Sequence, residues 1–380
     1  MLCISQPRRL VFGAIVLALL SQFAFAQEAT LSTPDADVLT ESEWSEVDES
    51  VNRALKWLAS ERNDDGSFPT RVQGQPAVTS LCVMAFLSSG HSLNDGEYSS
   101  ELSEAVNFTL DCQQANGLIS LPKTQPRTVR HNGSHTAYYN HGISGLMLGE
   151  AYGSTSGRQS ERIRNAIPQA IQLLQKTQRD KRRKEDHGGW QYYTNHLDVD
   201  SDVSSTTWQL MFLRSAKNAG FEMPDDLVLE ATNYIERCYD KRQRVFTYGT
   251  FGRERYVTVG SVGGGIISLA MSGKHESPMA LASGKWLMNR RFENYNAFIS
   301  PGGFYHYGVY YSSHASYQLG GEYWQNIYPR IVRVLLTNQS ADGSWPPETG
   351  LASGYGSCYS TALSVLALTP PYQLLPIYQR

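Results

Sequence analysis

The chain has 380 residues, with 33 Lys and Arg against 36 Asp and Glu, a formal charge of −3. This balance suggests no nucleic-acid partner; the one basic run, Lys181-Arg182-Arg183-Lys184, is followed at once by Glu185-Asp186 and reads as a solvated loop rather than a nucleic-acid patch. A chain of this size can bury a core of its own. Cys82, Cys112, Cys238 and Cys358 are scattered without a Cys-x-x-Cys pair, so structural thiols are expected rather than a zinc ribbon.

Arg8 and Arg9 precede an apolar run from Leu10 to Leu20 and the small-residue pattern Ala24-Phe25-Ala26. Residues 1–26 read as a signal peptide with cleavage after Ala26, so the product is expected to be exported, periplasmic or extracellular. The rival reading is an uncleaved anchor. The run is shorter than the roughly 18 to 20 apolar residues a spanning helix needs, and no later segment reaches that length. An acidic, Ser/Thr-rich lead over 27–45 is expected to be flexible, followed by one domain over 46–380.

The domain repeats itself. Val51 to Leu58 has apolar residues at helical spacing, then the turn Asp64-Asp65-Gly66-Ser67-Phe68, then a second helix, Val78 to Leu87, apolar almost all round and therefore buried. A second turn lies near Asn116-Gly117-Leu118. The third unit has His187-Gly188-Gly189-Trp190 and the inner helix Thr206 to Leu213. Units four and five turn near Thr247-Tyr248-Gly249 and Pro301-Gly302-Gly303-Phe304; the sixth has Asp342-Gly343-Ser344-Trp345 and the inner helix Tyr359 to Leu368. In each turn Gly supplies the positive φ of a tight reversal, Asp bonds its own backbone, and the aromatic ring packs under the hairpin. One hairpin cannot bury both of its faces, so units must stack.

Six units give about twelve helices. An open solenoid is the rival arrangement. Closure is preferred because Gly142-Ile143-Ser144-Gly145 and Ser261-Val262-Gly263-Gly264-Gly265 let inner helices crowd round an axis. The fold class expected is all-α, an (α/α)6 toroid of about six helix-hairpin repeats. If the ring closes, Cys82 and Cys358, in the first and last inner helices, become neighbours, and a disulfide there would lock it.

Trp57-Leu58 with Asp65-Gly66-Ser67-Phe68, Gly188-Gly189-Trp190 and Asp342-Gly343-Ser344-Trp345 resemble the repeats of the prenyltransferase and squalene-cyclase family, α/α toroids whose funnel holds a terpenoid. The cyclases of that family use an Asp-x-Asp-Asp acid; here Asp198-Val199-Asp200-Ser201-Asp202 lacks the adjacent pair. These carboxylates can cap the inner helix, raise one another's pKa to yield a general acid, or bind a hard cation. Gly356-Ser357-Cys358-Tyr359-Ser360 looks like the zinc segment of protein prenyltransferases with Gly in place of its Asp, so neither a zinc site nor any other cofactor is expected.

Two histidine and tyrosine clusters, Arg130 to His141 and Tyr305 to His314, are read as leading into inner helices and facing one rim of the funnel. The resulting candidates are Asp200, Asp202 and His141 for acid/base chemistry. His135, Tyr139, Trp208, His306, Tyr310, Tyr311, His314 and Tyr359 are the candidates for ligand contact. Three functions stay open: a funnel that takes up a small apolar or amphipathic ligand; a cyclase-like or lyase-like enzyme on lipid or polysaccharide; and a scaffold whose rim loops bind a protein.

Overall fold

Among the described residues of the computed structural model, twelve α-helices alternate between an outer and an inner layer. Those residues are 38–122, 136–179, 183–193, 201–252, 255–296 and 304–379, all within the compact unit Pro34–Arg380. The outer helices are α1 (Glu41–Glu61), α3 (Ser99–Asp111), α5 (Gly157–Arg179), α7 (Asp225–Arg237), α9 (Pro278–Met288) and α11 (Gly321–Thr337). The inner ones are α2 (Ala77–Ser88), α4 (Ala137–Tyr152), α6 (Val203–Asn218), α8 (Val259–Met271), α10 (Tyr305–Leu319) and α12 (Gly356–Leu368).

Each inner helix packs on the next, and α12 packs on α2, so the ring is closed and the chain is an (α/α)6 toroid. Small residues set the spacing. A Cβ on Gly142 would meet Trp208 Cβ at 2.9 Å, and one on Gly145 would meet the Phe212 ring at 2.6 Å, which is how α4 and α6 come into close contact. A Cβ on Gly263 would reach the backbone of Tyr311 at 3.0 Å. The sequence argument for closure thus has its physical counterpart.

The turns reuse one design. Asp65 Oδ1 accepts the Ser67 N–H (2.9 Å), Asn116 Oδ1 that of Leu118 (3.1 Å), and Asp342 Oδ1 that of Ser344 (3.0 Å). Gly66, Gly117, Gly188 and Gly343 all have φ between +86° and +97°. Their bare α-carbons rest on backbone of the next outer helix: at Glu104 in α3, Gln169 in α5, Glu230 in α7 and, closing the circle, Arg53 in α1. Two residues on, the backbone N–H of Phe68, Trp190 and Trp345 donates to the hydroxyl of Thr79, Thr206 and Thr361 at 3.0 Å each, tying turn to inner helix.

Two expectations shift. Thr40 and Glu43 form a capping box that starts α1 at Glu41, so residues 41–45 are helical rather than part of a flexible lead. In unit four the reversal is a hairpin of β1 (Tyr239–Asp240) and β2 (Val245–Phe246), ahead of Thr247, with Arg244 at φ 56° in the position glycine takes elsewhere. The turn placed at 301–303 lies outside the described residues. No described helix is long and apolar enough to cross a membrane.

Candidate functional site

All inner helices begin at the same end of the toroid. Tyr139 in α4, Ser204 in α6, Tyr307 in α10 and Tyr359 in α12 occupy their first turns, and the three tyrosines are partly exposed there. The Tyr307 hydroxyl lies 2.5 Å from Ser204 Oγ and accepts the Trp208 Nε1–H at 3.0 Å. Asp202, Tyr307 and Tyr192 are close enough to Tyr139 to act on its phenol, as Tyr307 and Tyr139 are to act on that of Tyr359. Tyr192 OH lies 3.5 Å from Tyr248 OH. The result is a partly exposed patch of phenol hydroxyls at the inner-helix starts, the candidate basin. Burial pushes the Tyr307 phenol up to about 12 and those of Tyr139, Tyr248 and Tyr359 upward too, so near neutral pH these groups stay protonated and act as hydrogen-bond donors, not bases.

Below the basin the funnel is packed. Trp208 stacks on Tyr310 (5.6 Å, 8°) and meets Tyr311 edge-on, joining α6 to α10 although the two are not neighbours in the ring. Trp208, Tyr310 and Tyr311 are 0% exposed and His314 is 2% exposed, so these side chains are buried against one another and their neighbours. The far end is sealed by the 3-10 turn Pro376–Tyr378. Tyr378 stacks on His314 (3.9 Å), its hydroxyl bonds that of Tyr310, and its carbonyl accepts from Gln318 (2.8 Å). The Ile377 N–H donates to Glu150 (3.2 Å), which also receives the Ser215 hydroxyl at 2.5 Å. Burial of this carboxyl pushes its pKa up to about 7.

Two buried carboxylates stand at inner-helix starts. Asp202 is the N-cap of α6 and is fully buried; Oδ1 accepts the Ser205 N–H at 2.6 Å and Oδ2 the Ser205 hydroxyl at 3.3 Å. Of the three roles open to the acidic triplet, capping is the one these Asp202 oxygens perform; Asp198 and Asp200 lie outside the described residues. Glu348 accepts the N–H groups of Tyr305 (3.0 Å) and His306 (2.7 Å), fixing the start of α10 and thereby Tyr307. Burial pushes its pKa up to about 7 against the pull of those donors. Sequence reading missed Glu348, since a lone acid after Pro346-Pro347 carries no spacing signal. It also missed Tyr192, Tyr248 and Tyr307, although Tyr307 sits inside the tyrosine run already singled out.

The remaining candidates divide. Tyr139 and Tyr359 reach the basin. Trp208, Tyr310, Tyr311 and His314 fill the funnel instead of lining a space, because the ring is narrow enough for side chains from α6 and α10 to meet. His306 and His314 lie inside α10, not on a rim ahead of it; His306 is buried with Nδ1 3.0 Å from Ser364 Oγ, and burial lowers its pKa to about 3. His141 is the clearest correction: Nδ1 accepts the Ile119 N–H (3.1 Å) and Nε2 lies 3.3 Å from the Ala170 carbonyl, which fixes the Nε2–H tautomer and occupies both nitrogens. Ile119 is two residues past Gly117, so His141 is the second unit's counterpart of Thr79, Thr206 and Thr361. Replacing it by Ala is expected to cost about 2 kcal/mol by orphaning a buried N–H, measured as a lower unfolding midpoint in denaturant. Asp200 and His135 lie outside the described residues.

Cys82 and Cys358 do meet at the closing seam, Cys82 Sγ lying 3.8 Å from the Cys358 carbonyl, but all four described cysteines are free and buried. Among the described residues no group of three or more His, Cys, Asp or Glu is placed to hold a metal ion.

No protein-family model matches the chain, and no curated protein does. Solved structures do. An inactive variant of the GH76A α-1,6-mannanase of Salegentibacter sp. HEL1_6, in complex with α-1,6-mannotriose, is 10% identical with a TM-score of 0.60 over 86% of this chain and 99% of that one. A variant of the type II terpene cyclase MstE from Scytonema, bound to geranylgeranyl dihydroxybenzoate, is 14% identical with a TM-score of 0.56 over 89% and 100%. A possible GH105 member from Salmonella enterica is 13% identical, with a TM-score of 0.54 over 86% and 93%. At such identities the likeness is one of fold, and the fold it establishes is the α/α toroid shared by terpene cyclases and glycoside hydrolases.

Proposed function

We propose that this chain takes a polyhydroxylated ligand, a saccharide segment, in the tyrosine-lined basin at the start of its inner helices, and that the phenols there hold it by donating hydrogen bonds to its oxygens. The observation that carries this reading is the ring of protonated hydroxyls around Tyr307, set over a funnel packed to zero exposure. Phenols offer a flat apolar face to a sugar ring and a donor to its oxygens. Tyr307, held by Ser204 and Trp208, is the best-positioned hydrogen-bond donor, with the Tyr139 phenol near enough to act on it. The mannanase neighbour, with its bound mannotriose, agrees with this reading. We also propose an exported protein, on Arg8-Arg9, the apolar run and Ala24-Phe25-Ala26.

A second reading, an amphipathic isoprenoid in the funnel, is favoured by the Trp208, Tyr310 and Tyr311 stack and by the cyclase neighbour; it requires those rings to part. Calorimetric titration of a panel of neutral oligosaccharides, beside geranylgeranyl amphiphiles, separates the two. Tyr307→Phe is expected to weaken saccharide binding about tenfold, the worth of one hydrogen bond. Binding of the amphiphile alone, with a fluorescence change that Trp208→Phe abolishes, overturns the saccharide reading.

A further inference from the structure

The basin does not end at Tyr248. Tyr256 stacks on Tyr248 (5.0 Å, 15°) and is 40% exposed, so the aromatic lining continues outward onto the surface between units three and four. Five residues earlier in the chain stands Phe251, 62% exposed, with the Arg183 guanidinium 5.5 Å from its ring. Thr250 bonds Asp186 (3.4 Å), Arg237 at the end of α7 bonds the carbonyls of Glu185 and His187, and Arg255 bonds Asp240 of the hairpin (2.9 Å), so residues 183–187, the β1–β2 hairpin and the described residues before α8 form one shelf.

The shelf is basic. Segments 183–187 and 237–244 with Arg255 hold seven Lys and Arg against three acids, in a chain whose formal charge is −3. Two of the acids are engaged within the fold: Asp186 is 3% exposed and faces Arg183 at 3.6 Å, and Asp240 caps the hairpin turn while holding Arg255 at 2.9 Å. The hairpin tip, Lys241 to Arg244, is exposed throughout. The basic run set aside in the sequence as a solvated loop therefore contributes Arg183 and Lys184 to a patch assembled from two units.

We propose that this shelf is an extension of the basin that binds an anionic glycan chain, its sugar rings on Tyr256 and Phe251 and its sulfate or carboxylate groups on the hairpin and Arg183-Lys184 cations. Exposed rings alone would fit any apolar surface; rings interleaved with cations and continuous with a hydroxyl-lined basin match a polymer that carries ring faces, hydroxyls and negative charge together. The proposal rests on the saccharide reading of the basin.

The test uses the full chain with dextran, dextran sulfate of equal length and polyglutamate, by affinity electrophoresis and calorimetry at about 50 and 300 mM NaCl, conditions across which screening strengthens. Dextran sulfate is expected to bind at least tenfold tighter than dextran, to lose that margin at high salt, and to bind tenfold weaker to Lys241→Glu/Arg242→Glu and to Phe251→Ala. These substitutions are at exposed positions, and circular dichroism verifies folding. Equal affinity for dextran and its sulfate, or no change in either variant, overturns the proposal. Polyglutamate binding as tightly as dextran sulfate overturns its glycan part. Failure of the basin reading shows differently: Tyr307→Phe then leaves every saccharide affinity unchanged while the shelf variants still weaken dextran sulfate.

Discussion

Glu150→Gln is expected to leave stability unchanged near pH 4.5 and to raise it by about 3 kcal/mol at pH 8, read as the unfolding midpoint in denaturant at each pH. The Glu150 carboxyl titrates at 4.5 when exposed and at about 7 in the folded chain. Below 4.5 both states hold the proton and pH has no leverage. Between 4.5 and about 7 the folded state keeps a proton that the unfolded state has lost, so stability falls as pH rises, and above about 7 the loss is complete. A carboxamide can donate to Ser215 Oγ and accept the Ile377 N–H, the pattern of the protonated acid, and it has no charge to bury. Its phenol neighbours Tyr310 and Tyr378 stay neutral across this range.

The wild type is a poor place to see this slope. Glu348 contributes with the same sign, whereas buried His141, His306 and His314, lowered from 6.5 to about 4, 3 and 3, contribute with the opposite one. These imidazoles bind a proton in the unfolded state before the folded one, so they lose stability as pH falls below 6.5. The two sets largely cancel between pH 5 and 8, and a nearly flat wild-type profile is expected. Removing one carboxylate tilts it, so Glu150→Gln gains stability as pH rises. Parallel wild-type and variant curves would refute a carboxyl held protonated under the Pro376–Tyr378 turn.

Gly188→Ala is expected to cost about 4 kcal/mol, against about 1 kcal/mol for Gly220→Ala, in the same denaturation measurement. The two glycines share a backbone conformation, φ +92° and +87°, so the left-handed penalty is common to both. They differ in surroundings. A Cβ on Gly220 meets nothing within 4 Å, whereas one on Gly188 overlaps the Glu230 carbonyl, backbone of α7 that cannot rotate aside. The difference isolates the value of seating a repeat turn on the next outer helix. Equal costs would mean that the turns are merely near their neighbours and do not set the spacing of the ring.

The repeat and its closure were legible because they depend on local chemistry. Asp-Gly-Ser-aromatic turns, helices apolar on every side, and glycines at positions 142, 145, 263 and 264 each impose a constraint that a short window of sequence displays. The thiols of Cys82 and Cys358 follow from counting units once the ring is closed. What the sequence did not display is which face of an inner helix each polar or aromatic side chain takes. His141 looked like a catalytic histidine, but the second unit uses it where units one, three and six use threonine, a substitution visible only when the turns are superimposed in space. Trp208, Tyr310 and Tyr311 looked like a ligand's lining, but they meet each other because α6 and α10 approach across the ring, a distance set by all six units together. Glu348 and Tyr248 come from loops with no periodicity, and the basic shelf joins segments about 50 residues apart. Local pattern determined the sequence of helices and turns; the inward rotation of each helix and the meeting of loops at the mouth were decided by packing around a closed ring.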